Sequence, residues 1–83
     1  MSQITVIAAL VDHIYENRVA LSKDKFSDVH FVPGLGYRIH KHAFVPAVIN
    51  SLRVDDAIKT VVTINYPNKI IWDGPSLWLT IPE

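Results

Sequence analysis

Apolar residues recur at helical spacing through the first segment of the chain. Over residues 3–18, the apolar positions that share one side are Ile4, Ile7, Ala8, Val11, Ile14 and Tyr15. This spacing predicts an amphipathic helix with one buried stripe. Ser2 is suited to the N-cap because its hydroxyl can accept a hydrogen bond from a first-turn amide, and the polar residues 22–25 mark the end of the helix.

Two runs of alternating apolar and polar residues, 28–32 and 37–42, surround a turn that contains two glycines. Alternation on both sides of such a turn predicts a β-hairpin. A three-residue loop over 34–36 pairs Phe31 with Ile39 on one face of the hairpin. A two-residue loop would mix polar and apolar residues on both faces, so the longer loop is favoured.

The opposite face of this hairpin carries a cluster of histidines. The same register sets His30 opposite His40 and Asp28 opposite His42. Imidazole and carboxylate groups bind Zn²⁺ and other divalent metals, so these four residues are a candidate metal site. The alternative is a solvated strand face, on which histidines make the surface sensitive to pH.

A short second helix is predicted after the hairpin. Pro46 suits a first helical turn, where its missing amide costs nothing, and Val48, Ile49 and Leu52 form a brief apolar stripe. Residues 53–56 interrupt this stripe, so we expect the helix to end there.

Alternation returns at Ala57 and continues almost to the end of the chain. Turns containing proline or glycine divide it into three predicted strands: 57–66, 70–73 and 76–81. Short loops place nearly all their large apolar side chains on one face. We therefore expect a C-terminal three-stranded antiparallel meander packed against the N-terminal helix. The predicted fold is one α+β domain over residues 1–83, in the order α-β-β-α-β-β-β.

The second face of the meander is a candidate interaction surface. In the predicted register Ile71 lies beside Trp78, and Thr63 and Thr80 belong to the polar rim around them. An aromatic and an aliphatic side chain within a polar rim are typical of protein interaction hot spots. The alternative is that a helix or the first hairpin covers them as core. The last strand, 76–81, could also be an edge that accepts a partner strand or forms a homodimer.

Composition and charge narrow the classes of function. Eight Lys or Arg balance eight Asp or Glu, and the basic residues are dispersed along the chain, so a nucleic-acid partner is disfavoured. A neutral surface tolerates self-association, which makes a homodimer a reasonable expectation. The absence of cysteine excludes a disulfide framework, and we expect a cytoplasmic protein. The apolar run 4–11 is far shorter than the roughly 20 residues that span a bilayer, so no membrane segment is expected.

No recognised motif brings catalytic residues together. The sequence has no Gly-x-Ser-x-Gly elbow and no cysteine nucleophile, and the turn at 33–36 lacks the ending of a phosphate-binding loop. We therefore expect a non-enzymatic protein-binding module without a cofactor, a small accessory protein that regulates or inhibits a larger protein through its C-terminal sheet. The alternatives are a metal-binding protein or metal-dependent enzyme that uses the histidine cluster, and a nucleic-acid binder of the winged-helix type.

Overall fold

A computed structural model describes residues 3–25, 27–44 and 52–83. The elements within these ranges are, in chain order, α1 (Gln3–Glu16), α2 (Arg18–Ser22), β1 (Val29–Val32), β2 (Gly36–His40), a 3-10 helix (Lys41–Phe44), α3 (Leu52–Asn65), β3 (Ile71–Asp73) and β4 (Trp78–Pro82). The fold is α+β, as predicted. The predicted N-cap Ser2 and most of the predicted short helix, around Pro46, Val48 and Ile49, lie outside the described residues. The prediction that this helix ends over residues 53–56 is wrong, because these residues are helical and belong to α3.

The N-terminal helix is confirmed, although α1 ends at Glu16 rather than continuing through residue 18. Ile7, Val11 and Ile14 are buried, because this stripe faces the rest of the domain, whereas Ile4, which was predicted to share the stripe, is 49% exposed. The short helix α2 then ends at Ser22, where the polar run marked the end of the helical pattern.

The segment 57–66 was predicted to form the first strand of a meander, but residues 57–65 are helical instead. They belong to α3, whose buried side chains recur three and four positions apart: Val54, Ala57, Ile58, Val61 and Val62. The many β-branched residues in this segment favour a strand. Packing of α3 against α1 overrides that local preference. The three-stranded meander is therefore wrong, and its last two strands form the hairpin β3–β4.

Among the described residues the strands form one antiparallel sheet, in the order β1-β2-β4-β3. The prediction that the last strand is an edge is wrong, because β4 lies between β2 and β3. Its inward side chains Leu79 and Ile81 are only 2% and 3% exposed, as a central strand requires. The edges of this sheet are β1 and β3.

The first hairpin is confirmed, with its register two positions from the predicted one. Phe31 pairs with Tyr37 and His30 with Arg38, so the loop covers residues 33–35. Gly36 begins β2 with a φ of 123°, and a Cβ there would lie 2.1 Å from the carbonyl oxygen of Ile81. Because β4 passes so close, only glycine fits at this position.

The C-terminal hairpin shows the same kind of shift. Ile71, which was predicted to lie beside Trp78, pairs with Thr80, because the loop includes all of residues 74–77. Leu77, which was predicted to belong to the last strand, closes this loop in a left-handed conformation with a φ of 64°. A shift of two positions leaves every side chain on its predicted face.

Both long helices pack on one face of the sheet, which we call the inner face. The core joins Ile7 and Val11 of α1 to Ile58 of α3 and to the inward strand residues Ile39 and Leu79. At its margin the buried Lys41 ammonium lies 2.5 Å from a carboxylate oxygen of Asp55, which ties the 3-10 helix to the first turn of α3. No helix in the described ranges is long and apolar enough to cross a membrane.

Candidate functional site: the outer face of the sheet

The sheet face that points away from α1 and α3 is the outer face. The residues that line it are His30, Val32, Arg38, His40, Ile71, Asp73, Trp78 and Thr80. All of these side chains are exposed or half-buried. Their inward neighbours Val29, Ile39 and Leu79 are each 2% exposed. Over the described part of the chain, the centre of the inner face is therefore buried, the edge residue Phe31 on that face is 43% exposed, and the outer face is open to solvent.

Trp78 lies at the centre of the outer face and is surrounded by three nitrogen-bearing side chains. His40 pairs with it across β2 and β4, and the two rings meet edge to face with centroids 4.7 Å apart. The guanidinium carbon of Arg38 lies 4.8 Å from the indole centroid, and the imidazole of His30 lies 6.0 Å from it. Trp78 is half-buried. Stacking of a guanidinium on an indole holds both groups in place.

One nitrogen of Arg38 lacks a hydrogen bond. Its Nε atom is shielded from solvent and has no hydrogen-bond partner among the described residues. A buried N–H without a partner carries a desolvation cost.

The hydrogen bonding around His40 favours its neutral imidazole. The backbone N–H of His42 donates to His40 Nδ1 at 3.0 Å, and the two rings lie 4.2 Å apart. Burial is the main cause that lowers the pKa of His40, the charge of His42 adds to it, and Asp28 opposes it. An Nδ1 that accepts a hydrogen bond leaves Nε2 to carry the proton of the neutral ring. At neutral pH, Arg38 is therefore the outer-face residue with a permanent positive charge.

Three of the four predicted partner-binding residues lie on the outer face. Ile71 pairs with Thr80, and Trp78 pairs with Asp73 rather than with Ile71, because of the register shift. Thr63 does not lie on this face, since it is an exposed residue of the helix α3.

Thr63 instead lines a groove that also reaches Ile71. This groove lies between α3 and the edge strand β3 and has a volume of about 570 Å³. Its walls include Lys59, Thr63, Ile71 and Trp72. We call it the edge groove. Because Ile71 belongs to both surfaces, the edge groove and the outer face meet at β3.

The predicted metal-binding residues are only partly brought together. His40 and His42 are neighbours, but His30 pairs with Arg38, and Asp28 lies beside His40 through the His40 N–H to Asp28 C=O bond of 2.9 Å. Over residues 3–25, 27–44 and 52–83, no three His, Cys, Asp or Glu side chains are arranged to hold a metal ion. Metal binding by the histidines remains a prediction that the structure does not test.

The sequence did not predict that Arg38 and His40 contact the ring of Trp78. The alternation within each hairpin places residues on a face, but it contains no information on which hairpins join. The β2–β4 pairing joins the two hairpins across the whole of α3. The useful signal was the shared lack of large apolar residues at the even-numbered positions of β2, which predicts an open face.

Comparisons with protein-family models, with curated proteins and with solved structures find no significant match for this chain. The functional interpretation therefore rests on the chemistry of the outer face and the edge groove.

Proposed function

We propose that this protein is a non-enzymatic binding module that regulates or inhibits a larger protein, and that the partner docks on the outer face. The observation that supports this most is the open sheet face on which Arg38 stacks on Trp78. The proposal places the protein in the cytoplasm and includes no cofactor.

The composition of the outer face fits a protein interface. Tryptophan and arginine are the residues most enriched among interaction hot spots, and here they are in contact. Beside them Ile71 and Val32 keep 55% and 37% of their surface exposed. Thr80 is half-buried among these residues, so a polar group lies within an otherwise apolar and aromatic patch.

Charge favours a protein over a nucleic acid as the partner. Arg38 is accompanied on the outer face by the exposed carboxylate of Asp73, and the pKa of His40 is lowered, which keeps its ring neutral. Binding to a phosphate backbone typically recruits several lysines or arginines to one surface. A face with one guanidinium and one carboxylate is better suited to bind a protein surface without net charge than to bind a nucleic acid.

The test compares variants in capture of a partner from lysates of the source cells. Trp78→Ser and Ile71→Thr remove the two apolar anchors of the outer face. Ile4→Thr is the matched control, because Ile4 is 49% exposed on α1, close to the 55% of Ile71, and lies on the opposite layer. Each variant is checked by circular dichroism and thermal melting before capture.

We expect Ile4→Thr to retain the partner that the wild-type chain captures, and the two outer-face variants to lose it with little change in melting temperature. Equal capture by all variants would show that the partner binds elsewhere. A wild-type chain that is retained on a polyanion column in a salt-dependent way would assign the face to a nucleic acid instead.

A further inference from the structure

The edge groove combines an open strand edge with an apolar channel. One wall is the side of α3 that carries Lys59, Val62 and Thr63, and the floor is formed by Ile70 and Trp72. Of these, Val62 and Ile70 are buried, while Lys59 and Thr63 are exposed. The groove therefore has an apolar base and a polar rim on the helix side.

The hydrogen-bond pattern of β4 decides which main-chain groups of β3 are free. Successive residues of a central antiparallel strand bond alternately to its two neighbours. The N–H of Glu83 donates to the C=O of Leu35, in the register of the β2–β4 pair. The odd-numbered residues of β4 therefore bond β2. The even-numbered residues Trp78 and Thr80 bond β3.

Among residues 3–25, 27–44 and 52–83, the main chain of Trp72 consequently has no strand partner on the side away from β4. Thr80 and Trp78 bond Ile71 and Asp73, which are their partners in β3. Trp72 lies between those two residues, so its N–H and C=O point away from β4 toward the edge groove. An extended chain in the groove can bond to both groups and continue the sheet.

The two sheet edges differ in their surroundings rather than in their free main-chain groups. In β1 the N–H of Val29 donates to the hydroxyl of Ser27 at 3.0 Å. Next to β3 the N–H of Ile70 likewise donates to the C=O of Tyr66. By the alternation of bonds, each edge strand then offers one open residue, Phe31 in β1 and Trp72 in β3. Of these two edges, β3 is the one that borders the edge groove.

Side-chain alternation and charge indicate which side chains the added strand would need. A residue paired with Trp72 points its side chain to the same face as Trp72, into the apolar base of the groove. The residues two positions away share that face and run along α3. Lys59 is the charged side chain that lines the groove. An acidic residue at one of those positions would meet its ammonium.

We propose that the edge groove binds an extended segment of a protein partner as an antiparallel fifth strand, with an apolar side chain over Trp72 and an acidic side chain, two positions away, facing Lys59. This inference rests on the proposed function. A partner that docks on the outer face could place such a segment in the edge groove, because the two surfaces meet at β3.

The probe is the acetylated and amidated hexapeptide Thr-Val-Thr-Glu-Thr-Val, whose valines and glutamate share one face of a strand. Binding is followed by amide chemical shifts of isotope-labelled full-length protein. We expect a Kd of about 1 mM or tighter, with shifts centred on Trp72 and Thr63. No binding at that concentration, or shifts confined to β1 or α1, would overturn the inference.

Two N-methylated peptides test the strand geometry. In antiparallel pairing the amides of the two valines, one of which pairs with Trp72, point toward β3, and the amides of the third and fifth residues, both threonines, point away. Methylation of both valine amides should weaken binding about tenfold, and methylation of both threonine amides should change it less than about twofold. Equal effects in the two peptides would exclude strand addition.

Variants of α3 test the groove and its charge. Thr63→Tyr fills the groove and should abolish binding, whereas Thr60→Tyr is the control, because Thr60 is an exposed α3 residue that does not line it. Lys59→Glu should weaken binding of the hexapeptide about fivefold. It should strengthen binding of the analogue in which lysine replaces the glutamate by about the same factor. If Lys59→Glu leaves the preference between the glutamate and lysine peptides unchanged, the proposed acidic occupant is contradicted. Self-association of the free protein through β3 would likewise contradict it, because a second copy would then occupy the groove.

The two proposals fail separately. A partner that is lost in Trp78→Ser while the hexapeptide does not bind leaves the proposed function in place and removes this inference. A hexapeptide that binds in the edge groove while capture is insensitive to Trp78→Ser removes the outer-face proposal instead.

Discussion

The guanidinium of Arg38 lies 4.8 Å from the indole centroid of Trp78, although β2 and β4, which carry them, are separated in the chain by the whole of α3. The contact exists because β4 enters the sheet beside β2 rather than at its edge. It makes the outer face a structured patch with a fixed arrangement of cation and ring before any partner arrives. Pre-arranged side chains lose less freedom on binding.

Replacement of Arg38 should uncover Trp78 without unfolding the domain. Arg38→Ala removes the stacked cation, and a partly exposed cation–π contact is worth only about 0.5–1 kcal/mol. We expect acrylamide to quench tryptophan fluorescence more strongly, with a small loss in the free energy of unfolding. Arg53→Ala is the control, since Arg53 is an exposed arginine on α3. Identical quenching in both variants would mean that Arg38 does not cover the indole in solution.

Stability should decline on mild acidification because of His40. Burial first, and then the charge of His42, lower the pKa of His40 below the value of 6.5 that it has in the unfolded chain, while Asp28 opposes this. Between the two pKa values only the unfolded chain takes up the proton, so acid favours unfolding. The contribution of His40 is complete above pH 6.5 and is lost as the pH falls through the folded value.

Urea unfolding from about pH 8 to pH 5 measures this effect. His40→Gln keeps a hydrogen-bonding side chain that does not titrate, and it should flatten the acidic limb of the stability curve relative to wild type. An unchanged acidic limb in His40→Gln would assign the titration to other groups.

Substitution of Gly36 should be far more costly than substitution of Gly34. Both glycines have positive φ angles, but a Cβ at Gly36 would lie 2.1 Å from the Ile81 oxygen, whereas a Cβ at Gly34 meets no atom within 4 Å. Gly34→Ala should cost about 1 kcal/mol from backbone strain alone. Gly36→Ala should cost roughly 3 kcal/mol or more, because the β2–β4 pairing must shift. Equal losses in urea unfolding would contradict this close approach of β4.

The hydrogen bond between Tyr66 and Asp12 should produce a loss of stability at alkaline pH. Burial, followed by the hydrogen bond that the Tyr66 hydroxyl donates to Asp12, raises the pKa of Tyr66 from 10.0 to about 12. Between these values only the unfolded chain ionises, so stability falls as the pH rises through that interval. Difference ultraviolet titration of wild type against Tyr66→Phe isolates this phenol from Tyr15 and Tyr37. Ionisation of Tyr66 near pH 10.0 would contradict the hydrogen bond.

Local spacing predicted α1 and both hairpins, because the signals lie within a few residues of one another. It failed for α3, where the alternation of Ile58, Val62 and Ile64 resembles a strand. The same segment also contains the helical series of Val54, Ile58 and Val61, all buried in the structure, while Ile64 is 70% exposed. The segment therefore contains both a strand-like period of two residues and a helical period of about 3.6 residues, and only its contact with α1 decides between them.

Faces were easier to predict than partners in the sheet. Both hairpin registers differ from the predicted ones by two positions, so Ile71 and Trp78 lie on the expected face even though they are not directly opposite. Loop conformation decides the register, and the left-handed Leu77 gives no sequence signal of its own. The contacts of Trp78 with Arg38 and His40 depend on the β2–β4 pairing. This pairing joins segments that are distant in the chain and is set by the packing of the whole domain.

The affinity of the purified partner for this protein, measured by calorimetry, tests the outer-face proposal most directly. Trp78→Ser should weaken binding by at least about tenfold, since central aromatic anchors typically contribute more than 1 kcal/mol, while Ile4→Thr should leave the Kd within about twofold of wild type. A Trp78→Ser variant that is folded and binds as tightly as wild type would contradict the proposal that the outer face is the binding surface.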